Sequence, residues 1–278
     1  MKSGFATLVG RPNVGKSTLL NAICGEKVAI VSDKPQTTRT SVRGVLDLPG
    51  AQVVFVDTPG IHKPSTVAGE RMNATATGTL GEVDVACLVL DATRPVGRGD
   101  RFVAARLPTG ALCVLNKVDA APPAEIAAQL ARAADLALDE YFPVSARTGE
   151  GVDELVAAVV ARLPEGPQYY PEGTVTDVPD AFWVAELVRE QLLAVARDEL
   201  PHSIACRVTE WEWPYIRCEI LVERESQKGI VVGKGGSVLK AVGSAVRAQL
   251  RPGAYLDLAV KVDKDWQRRP AALDRLGL

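Results

Sequence analysis

A chain of 278 residues that is 47% apolar and 24% charged can bury a sizeable core, and its length points to two domains rather than one. That composition excludes a disordered chain or a fibre, and a net charge of −2 provides no whole-molecule field to attract nucleic acid, so any such attraction must be local. The opening MKSGFATLVG lacks the apolar h-region of a signal peptide, and no run reaches the roughly 18 apolar residues of a membrane span, so a soluble cytoplasmic protein is expected.

The first predicted element is the buried strand FATLV. It runs into Gly10-Arg11-Pro12-Asn13-Val14-Gly15-Lys16-Ser17, and the helix STLLNAIC follows directly. This is the spacing G-x-x-x-x-G-K-[ST] in the strand-loop-helix context that its mechanism needs. Glycines let successive backbone N–H groups face one concavity, the helix N-terminus favours negative charge, Lys16 reaches the β- and γ-phosphates, and the Ser17 hydroxyl binds Mg²⁺. Gly10, Asn13, Val14, Gly15, Lys16, Ser17 and Thr18 are thus the expected phosphate-binding set. Next comes a polar, threonine-rich stretch, Ser32 to Gly44, suited to an order–disorder switch in which Thr37 or Thr38 closes on the metal and the γ-phosphate.

The strand VVFVD places Asp57 at its end, followed by Thr58-Pro59-Gly60. An acid there can hold the hydration shell of Mg²⁺, and the Gly60 N–H can approach a γ-phosphate with no side chain in the way. Ile61 stands where many regulatory GTPases carry a glutamine that orients the attacking water, so intrinsic hydrolysis should be slow or use another device. The Asn13 amide can supply one by helping to hold a monovalent cation such as K⁺ near the phosphates. His62 reads as an exposed residue.

Two further strands, ACLVLD and ALCVLN, alternate with helical stretches AEIAAQLARAADLAL and VDELVAAVVARL, which is the pattern of βαβ units in a doubly wound, mainly parallel sheet. The second of them ends in Asn116-Lys117-Val118-Asp119. Asp119 can accept two hydrogen bonds from guanine N1–H and its exocyclic amine, whereas adenine sets an acceptor against the carboxylate, so GTP is favoured over ATP. Ser145-Ala146-Arg147 follows the next strand, with the Ala146 N–H available to the guanine O6. Five cysteines, an odd number with no Cys-x-x-Cys, read as small core residues.

Pro164 to Asp180 packs proline, glycine and acids without periodicity and reads as a linker. The expected organisation is a GTP-binding domain over 1–165, a linker over 166–180, and a small α+β domain over 181–278. In the last, the helix AFWVAELVREQLLAVARDEL ends at Pro201. Strands SIACRVTEW and YIRCEILVE, the short helix ESQKGIVV, a glycine loop, another helix and the strand AYLDLAVKV follow. The loop Gly233-Lys234-Gly235-Gly236 fails the phosphate-loop spacing and lies between helices. Helix, G-x-x-G, helix is the arrangement of a type II KH module, whose loop clamps the backbone of about four unpaired nucleotides. Between Arg224 and Arg251 there are six basic residues, among them Lys228, Lys234 and Lys240, against the single acid Glu225, which supplies the missing local field.

GRPNVGKSTLLN, KPQTTRT, DTPGIH, NKVD, SAR, FWVAELVREQLL, ELPHS and KGIVVGKGGSVLK occur in the order found in the Era family of bacterial GTPases, which the chain resembles over nearly its whole length. The resemblance implies a Ras-like P-loop domain followed by a KH domain. It implies a Mg²⁺-dependent, slow conversion of GTP to GDP and phosphate that acts as a conformational switch. It also implies binding to the 3′ end of 16S ribosomal RNA, a role in maturing the 30S subunit, some peripheral membrane association and a monomeric state. It places the γ-phosphate-sensing threonine at Thr38, giving Ser17, Thr38 and Asp57 as metal residues and Lys16, Thr38 and Asn13 as catalytic ones. RGDRFVAARLPTGALC is shorter than the helical connection many relatives have there. Two other readings stay open: a GTPase serving tRNA modification or a transporter, and an RNA-binding protein whose nucleotide site is only structural.

Overall fold

The computed structural model describes residues 1–34, 36–61, 64, 66–195 and 203–278. They divide into two compact units. The first comprises Met1–Ala29, Thr38–Pro64 and Gly69–Asp177, and the second comprises Ile30–Thr37, Ser65–Ala68 and Val178–Leu278.

The first unit alternates strands and helices. β1 (Lys2–Val9), α1 (Lys16–Cys24), β2 (Val42–Leu48), β3 (Ala51–Asp57), α2 (Val67–Thr79, most of it in this unit) and β4 (Val85–Asp91) come first. α3 (Arg98–Ala104), β5 (Leu112–Asn116), α4 (Pro123–Ala134), β6 (Tyr141–Val144) and α5 (Val152–Arg162) follow. The sheet order is β2-β3-β1-β4-β5-β6, with every pairing parallel except β2 on β3. β3, β4 and β5 are buried along their whole length, as expected of strands covered on both faces. Because β1, β3, β4, β5 and β6 run the same way, their C-terminal ends share one edge of the sheet, where ligands bind in open α/β folds. In register there, Leu8 faces Asp57, Asp91 faces Asn116, and Asn116 faces Val144.

Several boundaries differ from the sequence reading. The polar stretch Ser32 to Gly44 ends in strand: Val42 opens β2, whose pairing with β3 overrides the weak local signal. AEIAAQLARAADLAL stops being helical after Ala134, since Ala137 takes a positive φ of 52°. α2 arises from a stretch of low amphipathicity, VAGERMNATATGT, that the sequence pattern does not mark. Residues 166–177 count with the first unit. Val175 accepts a hydrogen bond from the Val45 N–H on edge strand β2 (2.8 Å), and Gln52 Oε1 accepts from the Tyr169 and Tyr170 N–H groups. Covering an edge strand in this way removes an unpaired ladder. Cys87 and Cys113 lie in the core, where burial pushes their thiols up to about 12.

The second unit is built on α6 (Asp180–Val195), β7 (Ala205–Glu212), β8 (Tyr215–Val222), α7 (Glu225–Val232), α8 (Ser237–Arg247), β9 (Tyr255–Val262) and α9 (Pro270–Asp274). The helix expected to end at Pro201 is described to Val195, and the rest of that stretch lies outside the described residues. The three-stranded sheet has the order β7-β8-β9, antiparallel then parallel. Ile216, Cys218, Ile220 and Val222 alternate on β8 and point one way, onto Val184, Leu187, Val188 and Leu192 of α6 and Val242 and Val246 of α8. These are period 2 on the strand and 3.6 on the helices, so one core forms from both patterns. Each such side chain contributes about 1.5–3 kcal/mol on burial. On the opposite face the buried Glu219 carboxylate is paired with Arg207 (2.8 Å) and Lys261.

Candidate functional site

The loop after β1 is held open by backbone geometry. Asn13 and Gly15 have φ of 65° and 96°. A Cβ on Gly15 would lie 2.3 Å from Asn116 Nδ2, so only glycine fits there. Likewise a Cβ on Gly60 would meet the Pro12 backbone nitrogen at 2.7 Å, which puts Gly60 in contact with this loop. Lys16 Nζ donates to the Gly10 and Arg11 carbonyls (3.3 and 3.1 Å), folded across the loop it serves. Arg11 in turn is pinned by Asp100 at the start of α3 (2.8 Å), a support the sequence does not signal.

Ser17, Thr38 and Asp57 meet. Asp57 Oδ2 accepts from the Ser17 hydroxyl at 2.7 Å and the Thr38 hydroxyl at 3.0 Å, and the two hydroxyls lie 2.8 Å apart. Asp57 is fully buried, and its Oδ1 has no hydrogen-bond partner among the described residues. A buried carboxylate oxygen beside two hydroxyls is an oxygen-only donor set that suits a hard cation such as Mg²⁺. Burial pushes the Asp57 carboxyl up, opposed by the nearby Lys16 charge and by the hydroxyl hydrogen bonds. Burial also lowers the Lys16 ammonium, with Asp57 opposing. Each group is short of the charge that would solvate it, and a phosphate with its metal would supply both.

Beside the loop is a cavity of about 250 Å³ lined by residues that include Gly15, Thr18, Asn116, Lys117, Asp119 and Ala146. The buried Asn116 ties three loops together. Its Nδ2 donates to the Val14 carbonyl (3.0 Å), and its Oδ1 accepts from the Lys117 N–H (2.8 Å) and the Ala146 N–H (3.0 Å). The Ala146 N–H, expected to be available to a base, is thus engaged by Asn116 here. Lys117, at φ 69°, bridges the Asn13 carbonyl (2.7 Å) and Asp91 (2.6 Å). Asp91 escapes the sequence reading; its signal is an acid at a strand's C-terminal end, the same signal that marked Asp57. Burial raises its carboxyl, but hydrogen bonds from Lys117 and Thr93 outweigh that and hold it below the usual range. Asp119 accepts from the Ser145 hydroxyl (2.7 Å), and Arg147 lies 3.6 Å from its other oxygen, so Ser145 and Arg147 orient the carboxylate. Ile61 is 4% exposed and packs into the core, so it cannot orient water, and His62 lies outside the described residues.

In the second unit Gly233, Gly235 and Gly236 take φ of 74°, 59° and 78°, and the turn joins α7 to α8. A Cβ on Gly233 would lie 2.8 Å from the Val238 nitrogen, whereas Gly235 and Gly236 face open space. Lys234 and Lys240 are exposed and Lys228 is half-buried, all on or beside the two helices that flank the turn. Backbone bared by glycine next to lysines is what a single-strand phosphate clamp requires.

Comparison with known proteins agrees with both domains. The family described as 50S ribosome-binding GTPase matches residues 5–117, and the KH domain family matches residues 199–267. GTPase Era from Mycobacterium avium and GTPase Era from Mycobacterium tuberculosis H37Rv are each 45% identical over 99% of this chain and 98% of the relative. Among solved structures, a single-site variant of Aquifex aeolicus Era bound to GDP.AlF4⁻ is 38% identical, with a TM-score of 0.94 over 100% of this chain and 99% of that one. Era in complex with MgGDPNP and nucleotides 1506–1542 of 16S ribosomal RNA is 39% identical, with a TM-score of 0.95 over the same shares. A P-loop domain on a parallel sheet followed by a KH domain, joined to this full-length similarity, places the chain in the Era family of GTPases.

Proposed function

We propose that this GTPase couples its nucleotide cycle to a grip on the 3′ end of 16S ribosomal RNA during maturation of the 30S subunit. The observation that carries the reading is the convergence of Ser17, Thr38 and Asp57 within 3.0 Å beside the phosphate loop. Thr38 comes from the switch stretch and Asp57 from the sheet, so the site closes only when that stretch is in place. By function, residues 1–165 make up the GTP-binding domain, 166–180 the linker and 181–278 the KH domain, although residues 166–177 count with the first compact unit and 30–37 with the second. The relative solved with MgGDPNP and the 1506–1542 fragment supports both halves of this reading.

Gly10, Asn13, Val14, Gly15, Lys16, Ser17, Thr18 and Gly60 hold the phosphates. Asn116, Lys117, Asp119, Ser145, Ala146 and Arg147 enclose the base. Ser17, Thr38 and Asp57 would hold Mg²⁺, which when bound neutralises charge on the phosphate oxygens. Lys16 places its ammonium over the phosphates in the same concavity. Asn13 offers an amide oxygen for K⁺. With Ile61 in the core, intrinsic hydrolysis is slow and responds to RNA or the ribosomal particle. Gly233, Lys234, Gly235 and Gly236, with Lys228 and Lys240, grip the RNA. The protein acts as a monomer in the cytoplasm, partly at the inner face of the membrane; among the described residues no helix is long and apolar enough to cross it.

The test is GTP turnover by the purified full chain with Mg²⁺ and K⁺, with and without a short single-stranded RNA copying the ribosomal 3′ end. Acceleration by that RNA and not by a scrambled one is expected. Equal rates with both, together with no preference in binding, would overturn the RNA assignment.

A further inference from the structure

Residues 30–37 belong to the second unit, where α6 holds them at both ends. Ile30, 3% exposed, packs into the same core as Val184 and Val188. Glu190 Oε1 accepts the Val31 N–H at 2.9 Å. At the far end the Arg189 guanidinium donates through Nη2 to the Thr37 carbonyl. Arg189 is 2% exposed and is itself held by a two-pronged pair with Glu186, Nε to Oε1 at 2.8 Å and Nη2 to Oε2 at 2.6 Å. The next residue along the chain is Thr38, whose hydroxyl sits on Asp57 and Ser17 in the first unit.

We infer that Arg189 is a positioning residue for Thr38: by fixing the Thr37 carbonyl, helix α6 of the KH unit sets whether Thr38 reaches the metal and γ-phosphate. A buried Arg–Glu pair is a poor source of net stability, because desolvation offsets most of the attraction, although removing one partner alone leaves the other without its countercharge. Such a pair does fix geometry, since the planar guanidinium held by two carboxylate contacts leaves its remaining donors aimed in set directions. Here one of those directions is a main-chain carbonyl immediately before the switch threonine. A peptide plane held at residue 37 leaves the following residue little freedom besides its own φ and ψ. Ser17 and Asp57, on which the Thr38 hydroxyl sits, serve the metal of either nucleotide, whereas Thr38 is the residue read as sensing the γ-phosphate, so the effect of Arg189 is expected as a preference for GTP over GDP. By reciprocity, whatever RNA does to α6 changes that same preference.

The inference rests on Thr38 being the γ-phosphate-sensing residue, and the experiment separates the two. For the full chain, affinities for GDP and for a non-hydrolysable GTP analogue are measured with Mg²⁺, alongside GTP turnover and thermal melting, in Arg189→Met, Arg189→Lys and Thr38→Ala. Arg189→Met leaves Glu186 and the Thr37 carbonyl without this partner and is expected to melt below wild type, while keeping GDP affinity within twofold at a temperature where it is folded. Its analogue affinity and turnover should each fall about tenfold. Arg189→Lys, which keeps charge but loses the two-pronged hold, should fall part of the way and serves if the methionine variant does not fold. A wild-type ratio of analogue to GDP affinity in a folded Arg189 variant, with Thr38→Ala impaired, overturns the role of Arg189. A wild-type ratio in Thr38→Ala overturns the reading of the switch threonine itself, and with it this inference.

Discussion

Replacing Asn116 by alanine should test how the nucleotide pocket is assembled. Asn116 is 1% exposed and makes three hydrogen bonds to three different loops: one donated to Val14, two accepted from Lys117 and Ala146. Alanine leaves one buried carbonyl and two half-buried N–H groups without that partner. A buried polar group left unpaired costs about 1–3 kcal/mol. Water can reach Lys117 and Ala146 through the open side of the cavity, so their share falls at the low end, and the sum is about 3 kcal/mol. If the loops collapse apart in the free variant and must be gathered again around guanine, that energy appears in binding, raising Kd for GDP on the order of 100-fold. Displacement of a fluorescent guanine nucleotide gives the Kd, and a melt of the nucleotide-free protein reports the stability. A variant that melts lower yet binds GDP within threefold of wild type would refute the reasoning, because Asn116 would then stitch the fold without shaping the pocket. Asn116→Asp should fare no better than alanine, since it keeps both acceptors but turns a carboxylate oxygen toward the Val14 carbonyl.

Asp119→Asn should move preference from GTP toward xanthosine triphosphate, checked by competition between the two; an unchanged preference would mean that Asp119 does not read the base. Lys234→Ala should weaken RNA binding at low salt and reduce the slope of log affinity against log salt by about 0.7, the share of one phosphate contact on a single strand. An unchanged slope would place the clamp elsewhere. For Glu219, burial raises the carboxyl, but hydrogen bonds and charge from Lys261 and Arg207 outweigh it and hold it below the usual range. Its stabilising pairing is therefore present above the ordinary glutamate value of about 4.3 and is lost as pH falls through the depressed folded-state value. The stability gap between wild type and Glu219→Gln in denaturant titrations should be constant near neutrality and shrink in that acid window; a gap that widens on acidification would reverse the sign of the shift.

The local chemistry of this protein was largely legible in its sequence. The glycines at 10, 15, 233, 235 and 236 mark backbone that must turn through left-handed or extended conformations or lie close to a neighbour. Their spacing about Lys16 and Lys234 separated a nucleotide loop from the glycine turn of the KH unit. Period-2 and period-3.6 patterns gave the parallel sheet and the core of the KH unit, because burial selects apolar residues wherever a strand or helix faces inward. What tertiary structure decided are the contacts between residues far apart in the chain. Strand β2 exists because it pairs with β3, and α2 because it has a surface to lie on, not because of its own weak amphipathicity. Asp91 matters only once the sheet brings it against Lys117, 26 residues on. Arg189 and Thr37 are separated by 152 residues, a distance no local pattern spans. Periodicity and turn chemistry are properties of neighbours along the chain, and they fix elements and loops. Which buried polar group meets which depends on the register of strands and the docking of helices, and that is settled only when the whole core closes.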